Sequence, residues 1–541
     1  MSAPLLIGVS FGTVYSSISI LGKDGKNAET IANEDGDRQI PSYVAFTEHE
    51  ELCGTQAAVQ AMANPNGTVL HFRNILGKQI DDEEVQHQSR KHRFTITEAA
   101  DGSGLPVYEI TLAHEDGEDR TNTYSVVDVS AKFLRKIKET AEYFLSQKVD
   151  GCVISIPPHF EDAQKQALLE ATKLAGFSIA YPLHEPVAAV LAYEAAAAQL
   201  QMSQSQQSLD ARANGKLLDR PDKQIVVLDL GAHQFNVTVL SSHDGLYTIE
   251  ASIDEPELGG ISFTELLVEF VRLEFKRKYK ADISDNRRAM EKLRNAVERT
   301  KRALTRQDTA PCSVESLYDG LDYNGTINRG RFEMLAEPLY ARCRDTVGRA
   351  LREADVAVEQ VDEVLVVGGS SRMPRFQAVM KSLFAETTEF RVDVEPDEAI
   401  SLGCAVQAGI ILGSTVDYAA LASNKDVVTA DHLSKSIGIE IAGGAFAVVI
   451  PRGTPLPVRR TVTFGLSSSG QTEAYIAVYE GEAPVAKKNA ILAEVVLSDL
   501  ATEAPEGRAA VDLTLTVEKD HTLSVAASEK KSGQHVNVRV K

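Results

Sequence analysis

Two copies of one short unit, a strand followed by a glycine turn and a second strand, restrict the fold of this chain most strongly. The first copy is LLIGVSFGTVYSSISI (5–20) and the second is IVVLDLGAHQFNVTVL (225–240). They align with Ser10 opposite Asp229 and with Gly12 opposite Gly231. Such a repeat, about half a domain apart, predicts a duplicated fold with two lobes and a ligand cleft between them.

The pattern of apolar residues divides the chain into two parts. Up to about Gly413, alternating apolar runs are interleaved with long helical patterns, which is typical of an α/β architecture. After about Asp431, segments such as TEAYIAVYEGE and ILAEVVLSDL alternate apolar and polar residues between turn signals. We therefore predict an α/β domain over 1–413, a linker over 414–433 and an antiparallel β-sandwich over 434–541.

Composition argues against several classes of function. The net charge of -21 repels polyphosphate backbones, so we expect no direct binding to nucleic acid. The start MSAPLLIGVS lacks a basic segment, and the chain has no run of about 18 apolar residues, so we expect a cytoplasmic protein without a membrane association. The cysteines lie far apart, without the spacing of a zinc site or a disulfide framework, and we expect them to be reduced and mostly buried.

The segment 195–223 is rich in Ala, Gln and Ser. This composition predicts the end of a helix followed by a mobile surface loop. A solvated insertion without a function of its own is the simpler interpretation.

Several motifs that are weak alone follow one another in an informative order. A glycine turn between strands usually only reverses the chain, and a helix bearing ERTKRALT (298–305) is more often a solvent-exposed charged face. Here the two hairpins precede that helix, and VLVVGGSSRMP (364–374) then leads from a buried strand into another helix. With SYVAFTE, ISIPPHFEDAQKQALLEATKLAG, HEPVAAVLAY and EPDEAISLGCAVQAG, the series resembles the DnaK-type 70-kDa heat-shock chaperones, members of the actin and sugar-kinase superfamily.

This resemblance extends from Ile7 to about Val540 and implies a duplicated, two-lobed, actin-like (ribonuclease H-like) ATPase fold followed by a peptide-binding β-sandwich. It also implies an ATP site. The backbone N–H groups of Gly12, Thr13 and Gly231 would face phosphate oxygens, with glycine permitting close approach and positive φ. The residues implied to bind the nucleotide are Gly12, Thr13, Val14, Tyr15, Gly231 and Ala232 in the hairpins, and Glu298, Lys301, Arg302, Thr305, Gly368, Gly369, Ser370, Arg372 and Asp397 in the other lobe.

The chain departs from the family where hydrolysis takes place. The family has aspartate at the positions of Ser10 and Asn236, and its catalytic lysine aligns with Arg73. Asp229 is left to hold a magnesium ion through water, while Thr13 and Glu185 are retained. Phosphoryl transfer depends on positioning and on charge neutralisation, so these losses predict a pseudo-ATPase that binds ATP with little or no hydrolysis.

The second hairpin departs further from the family. The family's run of three glycines and a threonine reads Gly231, Ala232, His233 and Gln234 here, and Val14 replaces a threonine of the first hairpin. A lone histidine in such a remodelled loop is more often a packing or surface residue than a base, and we expect this of His233.

The C-terminal part also differs from the active family. KDVVTADHL (425–433) replaces a leucine-rich interdomain linker, which predicts weaker signalling between the domains, although linkers also vary without consequence. The sequence ends directly after its last predicted strand, so we expect no helical lid, and we expect a dedicated partner segment on the β domain.

These features resemble the Ssz-type subunits of the fungal ribosome-associated complex. The resemblance implies a stable heterodimer with a J-domain protein of the zuotin type, contact with the ribosome through that partner, and support of a second, active chaperone on nascent chains. Two alternatives stay open. The chain could be an active ATP-hydrolysing chaperone that binds unfolded peptides, or a small-molecule kinase, which would lack a substrate base and leave the β domain unexplained.

Overall fold

A computed structural model of the chain divides into two compact units, Met1–Val428 and Thr429–Lys541. The residues that the structure describes are 4–22, 27–91, 94–113, 119–204, 223–243, 246–413, 433, 435–441, 443–452, 454, 458–465, 471–498, 500, 510–518, 521–529 and 534–540. The predicted linker over 414–433 lies outside the described residues except at Leu433.

The first lobe of the N-terminal unit contains twelve strands and four helices among its described residues. The strands are β1 (Leu6–Ser10), β2 (Tyr15–Leu21), β3 (Ala28–Ile31), β4 (Ile40–Pro41), β5 (Tyr43–Phe46), β6 (Glu51–Cys53), β7 (Thr68–Leu70), β8 (Thr95–Glu98), β9 (Pro106–Ala113), β10 (Asp119–Ser125), β11 (Gly151–Ile156) and β12 (Ile179–His184). The helices are α1 (Thr55–Gln60), α2 (Glu83–Lys91), α3 (Val126–Leu145) and α4 (Asp162–Leu174), with a short 3₁₀ helix over Phe72–Ile75.

Helix α5 (Glu185–Gln204) connects the first lobe to the second. The elements of the second lobe are β13 (Lys223–Leu230), β14 (Phe235–His243), β15 (Leu246–Glu255), α6 (Gly260–Tyr279), α7 (Arg287–Leu304), β16 (Thr309–Tyr318), β17 (Leu321–Asn328), α8 (Arg329–Glu353), β18 (Glu363–Val367), α9 (Pro374–Lys381) and β19 (Glu389–Arg391). Helix α10 (Ala399–Gly413) returns to the first lobe, where Cys404 and Ala408 pack with Leu6 and Val153.

The two lobes repeat one sheet topology, which confirms the predicted duplication. The strand order is β12-β11-β1-β2-β3 in the first lobe and β19-β18-β13-β14-β15 in the second. In each, an antiparallel meander of three strands joins two parallel strands. Ser10 pairs with Ser17 across its hairpin as Asp229 pairs with Asn236, so the two hairpins occupy equivalent places.

Strand β13 is covered by other elements on both of its faces, which explains why its sequence is a continuous apolar run. Val226 and Leu228 pack into the large core under α6–α8, whereas Ile225 and Val227 pack against α5 on the opposite face. A strand covered on both faces reads as a continuous apolar run rather than an alternating one. Asp229 interrupts the run on the α5 face, because side chains alternate along a strand, and this places its carboxylate at the end of the sheet.

The C-terminal unit is a β-sandwich, as predicted. Its strands are β20 (Ile437–Ile441), β21 (Ala445–Ile450), β22 (Val458–Gly465), β23 (Ala474–Glu480), β24 (Ala490–Leu497), β25 (Ala510–Val517), β26 (Leu523–Glu529) and β27 (His535–Val540). They form two antiparallel sheets, β21-β20-β23-β24 and β22-β25-β26-β27, around a core that includes Val478, Val495 and Leu513. Strand β20 was not among the segments that the sequence analysis singled out.

Three further expectations concern the segment 195–223, the cysteines and membrane-spanning helices. Helix α5 covers the start of the segment 195–223 and ends at Gln204, whereas the rest of the predicted loop lies outside the described residues up to Lys223. All five cysteines have free thiols and four of them are buried, as expected. Among the described residues, no helix combines the length and apolar character needed to cross a bilayer.

Candidate nucleotide site

A cleft with a volume of about 1900 Å³ runs through the N-terminal unit, lined by both hairpins, α7 and the turn after β18. It collects every residue that the sequence analysis assigned to the site. These are Ser10, Gly12, Thr13, Val14, Tyr15, Arg73, Glu185, Asp229, Gly231, Ala232, Asn236, Glu298, Lys301, Arg302, Thr305, Gly368, Gly369, Ser370, Arg372 and Asp397. What these residues bind stays a prediction.

The first hairpin is tightly folded on itself. A Cβ on Gly12 would lie 2.0 Å from the carbonyl oxygen of Tyr15, so close backbone approach requires glycine there. The Gly12 N–H donates to Ser16 Oγ at 3.1 Å, and Thr13 Oγ1 donates to Asn74 Oδ1 at 2.8 Å. In this structure the Ser16 hydroxyl accepts the Gly12 N–H, so a phosphate oxygen would have to replace that hydroxyl, and the contact with a phosphate stays a prediction.

The second hairpin likewise satisfies its own backbone. The Gly231 N–H donates to the carbonyl oxygen of Gln234 at 3.1 Å, and a Cβ on Gly231 would meet that oxygen only at 3.5 Å. Neither Gly12 nor Gly231 is among the glycines with positive φ, so the conformational freedom that glycine permits is not used at either position. Glycine at 231 is thus not required by the local backbone.

His233 is a packing residue, as expected. Its side chain is buried, and its ring meets the ring of His71 edge-on with 5.6 Å between centroids. Burial lowers the pKa of His233 below its ordinary value, so the imidazole is neutral at neutral pH. His71 itself has a φ of 59°, a left-handed conformation uncommon for a residue with a side chain.

Arg73, which the sequence resemblance aligned with a catalytic lysine, is paired with Glu185. One guanidinium nitrogen of Arg73 donates to Glu185 Oε1, and both side chains are only 8% exposed. The guanidinium also lies over the ring of Phe160, 5.8 Å from its centroid. Ser155 Oγ donates to the same Glu185 oxygen at 3.4 Å. The positive charge at this end of the cleft is therefore held by a carboxylate of the protein.

Three side chains form a row across the ends of β13, β14 and β15. Asp229 pairs with Asn236, and Asn236 pairs with Asp254. Directly opposed residues project from the same face with Cβ atoms about 5 Å apart. A hydrogen bond of 2.9 Å between the hydroxyls of Thr238 and Ser252, one step along the same face, supports this register.

Asp254 was missed in the sequence, and it changes the charge balance of the cleft. Burial, followed by the carboxylate of Glu185, raises the pKa of Asp254 to about 7, although Arg73 opposes the shift. Burial and Glu185 also raise the pKa of Asp229. Within the described residues, Asn236 Oδ1 and Asp254 Oδ1 are buried without a hydrogen-bond partner. Only the strand register could have revealed Asp254, because it belongs to no motif.

At the opposite end of the cleft, around Glu298 and Lys301, the buried charges are paired within the protein. The Lys301 ammonium lies 2.8 Å from Glu298 Oε2 and donates to Gly260 O at 2.7 Å and to Thr264 Oγ1 at 2.9 Å. Burial alone would raise the pKa of Glu298, but Lys301 outweighs it, and the pKa falls to about 2. Lys301, predicted to touch the nucleotide, thus has its donors engaged by the protein.

Arg302 links the two lobes across this end. Its Nε donates to Glu298 Oε1 at 2.9 Å, and a terminal nitrogen donates to the hydroxyl of Tyr15 at 3.1 Å. The guanidinium lies over the Tyr15 ring, 5.4 Å from the centroid. Cation–π contacts of this kind stabilise by about 0.5–1 kcal/mol at exposed sites. Tyr15 and Arg302 therefore form a wall between the lobes.

The turn after β18 joins the two ends of the cleft. Gly368 has a φ of 83°, and a Cβ there would lie 2.3 Å from Leu230 O and 2.5 Å from Asp229 Oδ1. Only glycine fits such a position. A 3₁₀ helix over Gly369–Arg372 separates this turn from α9, and Arg372 forms an ion pair with Asp397. The turn is consequently fixed against the second hairpin.

Comparison with known proteins shows the class to which this fold and cleft belong. The profile of the family described as Hsp70 protein matches residues 6–541. The chain therefore belongs to the Hsp70 family, whose members bind ATP with Mg²⁺.

Individual relatives agree with the family assignment. The chain is 34% identical over 528 residues to a heat shock 70 kDa protein of Neurospora crassa, covering 98% of this chain and 76% of the relative. It is 34% identical over 535 residues to a ribosome-associated molecular chaperone of Saccharomyces cerevisiae, covering 99% and 81%. Heat shock cognate 70 kDa protein 3 of Dictyostelium discoideum is 34% identical over 525 residues, covering 97% and 78%.

The cleft suits a divalent ion that keeps its water shell. Mg²⁺ prefers oxygen ligands and usually retains several waters while one or two carboxylates and the substrate phosphates hold it. Asp229, Asn236 and Asp254 offer such oxygens, two of them buried and unpaired within the described residues. No three His, Cys, Asp or Glu side chains of that part of the chain converge closely enough to ligate a metal directly. The residues present thus fit a hydrated ion.

Proposed function

We propose that this chain is a pseudo-ATPase of the Hsp70 family, which holds ATP as a structural ligand and hydrolyses it little or not at all. The observation that carries the proposal is the Arg73–Glu185 pair. We call the end of the cleft around Ser10, Arg73 and Asn236 the phosphate end. Among these degenerate positions and the retained Thr13 and Glu185, Arg73 is the one cation, and its guanidinium donates to the carboxylate of Glu185.

The chemistry of hydrolysis explains why this arrangement is unfavourable. A phosphoryl transfer site must orient a water in line with the γ-phosphate and neutralise the developing charge. A hydroxyl at Ser10 and an amide at Asn236 carry no charge with which to orient a hydrated cation or the water. When bound, magnesium would neutralise charge on the phosphate oxygens. If each missing group is worth about 2–4 kcal/mol of transition-state stabilisation, losing several removes most turnover even without additivity.

The opposite end of the cleft supports the holding of a nucleotide. Glu298, Lys301 and Arg302 form a buried or half-buried network that needs no ligand to be ordered. Arg372 is fixed by Asp397, and the Gly368 turn is fixed by its contact with Leu230. A preorganised pocket binds its ligand with a smaller entropy loss. We infer that adenosine is held here, between Tyr15 and the Gly368 turn.

We further propose that the chain works as a subunit in the cytoplasm rather than alone. The proposed partner is a J-domain protein of the zuotin type in a stable heterodimer, which contacts the ribosome and supports a second, active chaperone. Two relatives of 34% identity carry the name ribosome-associated molecular chaperone. The net charge of -21 favours leaving contact with ribosomal RNA to a basic partner.

The β unit offers a place for a partner segment. Strand β21 is the terminal strand of its sheet, and Val448 on it is 49% exposed. An extended peptide can add to such an edge through backbone hydrogen bonds, with apolar side chains providing contact area. We propose that a segment of the J-domain partner occupies this edge.

An active chaperone is the second candidate, and a specific observation favours it. Thr13, Glu185 and Asp229 are retained along the cleft, and Asp254 supplies an additional carboxylate. If these groups orient water despite the Arg73–Glu185 pair, the chain would hydrolyse ATP and bind unfolded peptides as other family members do.

The experiment that tests the proposal is native isolation of the full chain. We expect it to arrive with about one ATP per chain, measured by chromatography of the released nucleotide, and with a J-domain protein in equal amount, measured by quantitative mass spectrometry. Recovery with ADP, or with no nucleotide, would contradict the pseudo-ATPase. Recovery with ATP but as a free monomer would contradict the heterodimer alone.

A further inference from the structure

We infer that Asp254 and Asn236 hold the hydrated divalent cation that accompanies the phosphates of the nucleotide, with Asp254 replacing the carboxylate that is missing at position 236. This inference rests on the proposed binding of ATP. It assigns a role to a residue outside every motif of the sequence, one strand away from the substituted position.

The strand register places Asp254 where the missing charge would act. Asn236 lies between Asp229 on β13 and Asp254 on β15, and each is its directly opposed neighbour. Neighbours of this kind project from one face with Cβ atoms about 5 Å apart. A carboxylate moved from β14 to β15 therefore stays on the same face, displaced by about the spacing of one strand, which is roughly 4.8 Å.

A hydrated cation can bridge that displacement. An ion that keeps its waters contacts carboxylates through them, so the ligand positions tolerate a shift that direct coordination would not. The position one strand further out is therefore compatible with the ion.

The buried oxygens of the row point to a ligand in their own right. Asn236 is 6% exposed, and its Oδ1 is buried without a hydrogen-bond partner among the described residues. Asp254 Oδ1 is in the same state. Leaving a buried acceptor unsatisfied costs about 1–3 kcal/mol, and more for a charged group. Two such acceptors side by side are accounted for by a donor shell, which the waters of a bound cation provide.

The charges around the row agree with this interpretation. The carboxylates of Glu185, Asp229 and Asp254 influence one another electrostatically, and Arg73 is the cation that opposes their repulsion. Arg73 is already paired with Glu185. His159 Nδ1 lies 4.0 Å from Asp254 Oδ2, a distance too long for a hydrogen bond. A divalent cation would reduce the repulsion among these carboxylates.

The test is the dependence of ATP affinity on magnesium, measured on the full chain by titration of ATP in excess Mg²⁺ and in EDTA. In the unaltered chain, Mg²⁺ should tighten ATP binding. Asp254→Asn should reduce this tightening by about 10- to 100-fold, the loss that removal of an outer-shell partner produces. Its affinity in EDTA should be unchanged or higher, because a negative charge near the phosphates has gone.

Two further variants separate a cation role from a structural one. The double variant Asp254→Asn with Asn236→Asp moves the charge back by one strand and should restore the magnesium dependence. Glu250→Gln, on the same strand but hydrogen-bonded to Ser241, is the matched control and should behave as the unaltered chain. Mn²⁺ bound to the ATP-loaded protein, counted by electron paramagnetic resonance, gives a readout independent of affinity and should weaken in Asp254→Asn alone.

Three results would overturn the inference and leave the proposed function standing. If Asp254→Asn weakens ATP binding equally in Mg²⁺ and in EDTA, Asp254 only supports the fold. If it leaves the magnesium dependence unchanged, the ion does not use it. If the unaltered chain binds ATP without any magnesium dependence, the inference fails while the proposed function stands. Absence of ATP binding in both conditions would instead overturn the proposed function, and the inference with it.

Discussion

The two ends of the cleft differ in how well their charges are matched. At the adenosine end, the buried Lys301 ammonium has three acceptors within 2.9 Å, and the pKa of Glu298 falls to about 2. At the phosphate end, three carboxylates share Arg73, and the pKa of Asp254 rises to about 7. One end is stable without a ligand, whereas the other has an excess of negative charge.

This difference teaches that holding and cleaving a nucleotide depend on different residues. Binding energy comes from preorganised contacts that exist before the ligand arrives. Cleavage requires groups that stabilise only the transition state. On the proposed function, the end of the cleft around Glu298 and Lys301 serves the first task, and the substitutions at Ser10, Arg73 and Asn236 affect the second. The variants below test this separation, beginning with the largest expected effect.

Restoring the catalytic groups should raise hydrolysis most. The triple variant Ser10→Asp, Arg73→Lys, Asn236→Asp returns two carboxylates and a compact ammonium to the phosphate end. We expect at least about a 100-fold increase in the single-turnover rate, since each restored electrostatic group contributes about 10²–10³-fold in comparable sites. The single variant Ser10→Asp is the control and should change the rate far less. A triple variant no faster than the unaltered chain would contradict the account.

Gly368 should tolerate a methyl group far less than Gly231. Gly368→Ala places a Cβ within 2.5 Å of Leu230 O and Asp229 Oδ1, at a φ of 83°. We expect a loss of about 3 kcal/mol in the free energy of unfolding, from strain and steric overlap together. Gly231→Ala meets its nearest atom at 3.5 Å and should change that free energy by less than about 1 kcal/mol. Urea unfolding measures both, and equal losses would contradict the assignment of the turns.

Removing the carboxylate of Glu298 should lower the free energy of unfolding, whereas removing the carboxylate of Glu185 should change it little. Glu298→Gln leaves the buried Lys301 ammonium without an anionic partner, and we expect a loss of about 2–4 kcal/mol in unfolding free energy. Glu185→Gln leaves Arg73 with Asp229 and Asp254 still nearby, so its loss should be below about 1 kcal/mol. The free energies come from urea unfolding without nucleotide. A larger loss of unfolding free energy for Glu185→Gln than for Glu298→Gln would contradict the proposed difference between the two ends of the cleft.

The stability contributed by Asp254 should depend on pH. Its pKa in the folded chain, about 7, lies above the ordinary value of 3.8, so the folded state binds the proton more tightly than the unfolded state. Stability therefore falls as pH rises through this window, and the full penalty is present above it. Without nucleotide and with EDTA, Asp254→Asn should be more stable than the unaltered chain near pH 8, by on the order of 1–2 kcal/mol.

This advantage should disappear as the pH falls below the ordinary value of 3.8, where Asp254 becomes protonated in the unfolded state as well. Thermal unfolding over a pH series measures it, with Glu250→Gln as the control. An advantage that is the same at every pH would show that Asp254 carries its ordinary pKa.

The sequence predicted the fold because its signals are local or repeated. The aligned hairpins 5–20 and 225–240 indicated the duplication, and the shared order of the two sheets confirms it. The switch from helical to alternating apolar patterns near Asp431 indicated the β-sandwich, whose two sheets are present. Strand β20 was missed because IGIEI is short and has a glycine at its second position.

The site could be predicted only in part. Motif positions gave residues such as Gly368 and Lys301, which the structure brings to one cleft. The partners of those residues are long-range contacts, and no local pattern shows them. Arg73 and Glu185 are 112 positions apart, and Asp254 joins the row only through strand pairing. The sequence also did not show that the N–H groups of Gly12 and Gly231 donate hydrogen bonds within their own turns.

The central claim is that the cleft holds ATP without cutting it, and a single-turnover assay tests this most directly. The purified full chain is loaded with ATP labelled at the γ-phosphate, freed of excess nucleotide and followed for released phosphate, with an active Hsp70 as reference. The account predicts that ATP stays bound and intact while the reference converts its own to ADP. Phosphate release at a rate comparable to the reference would contradict it.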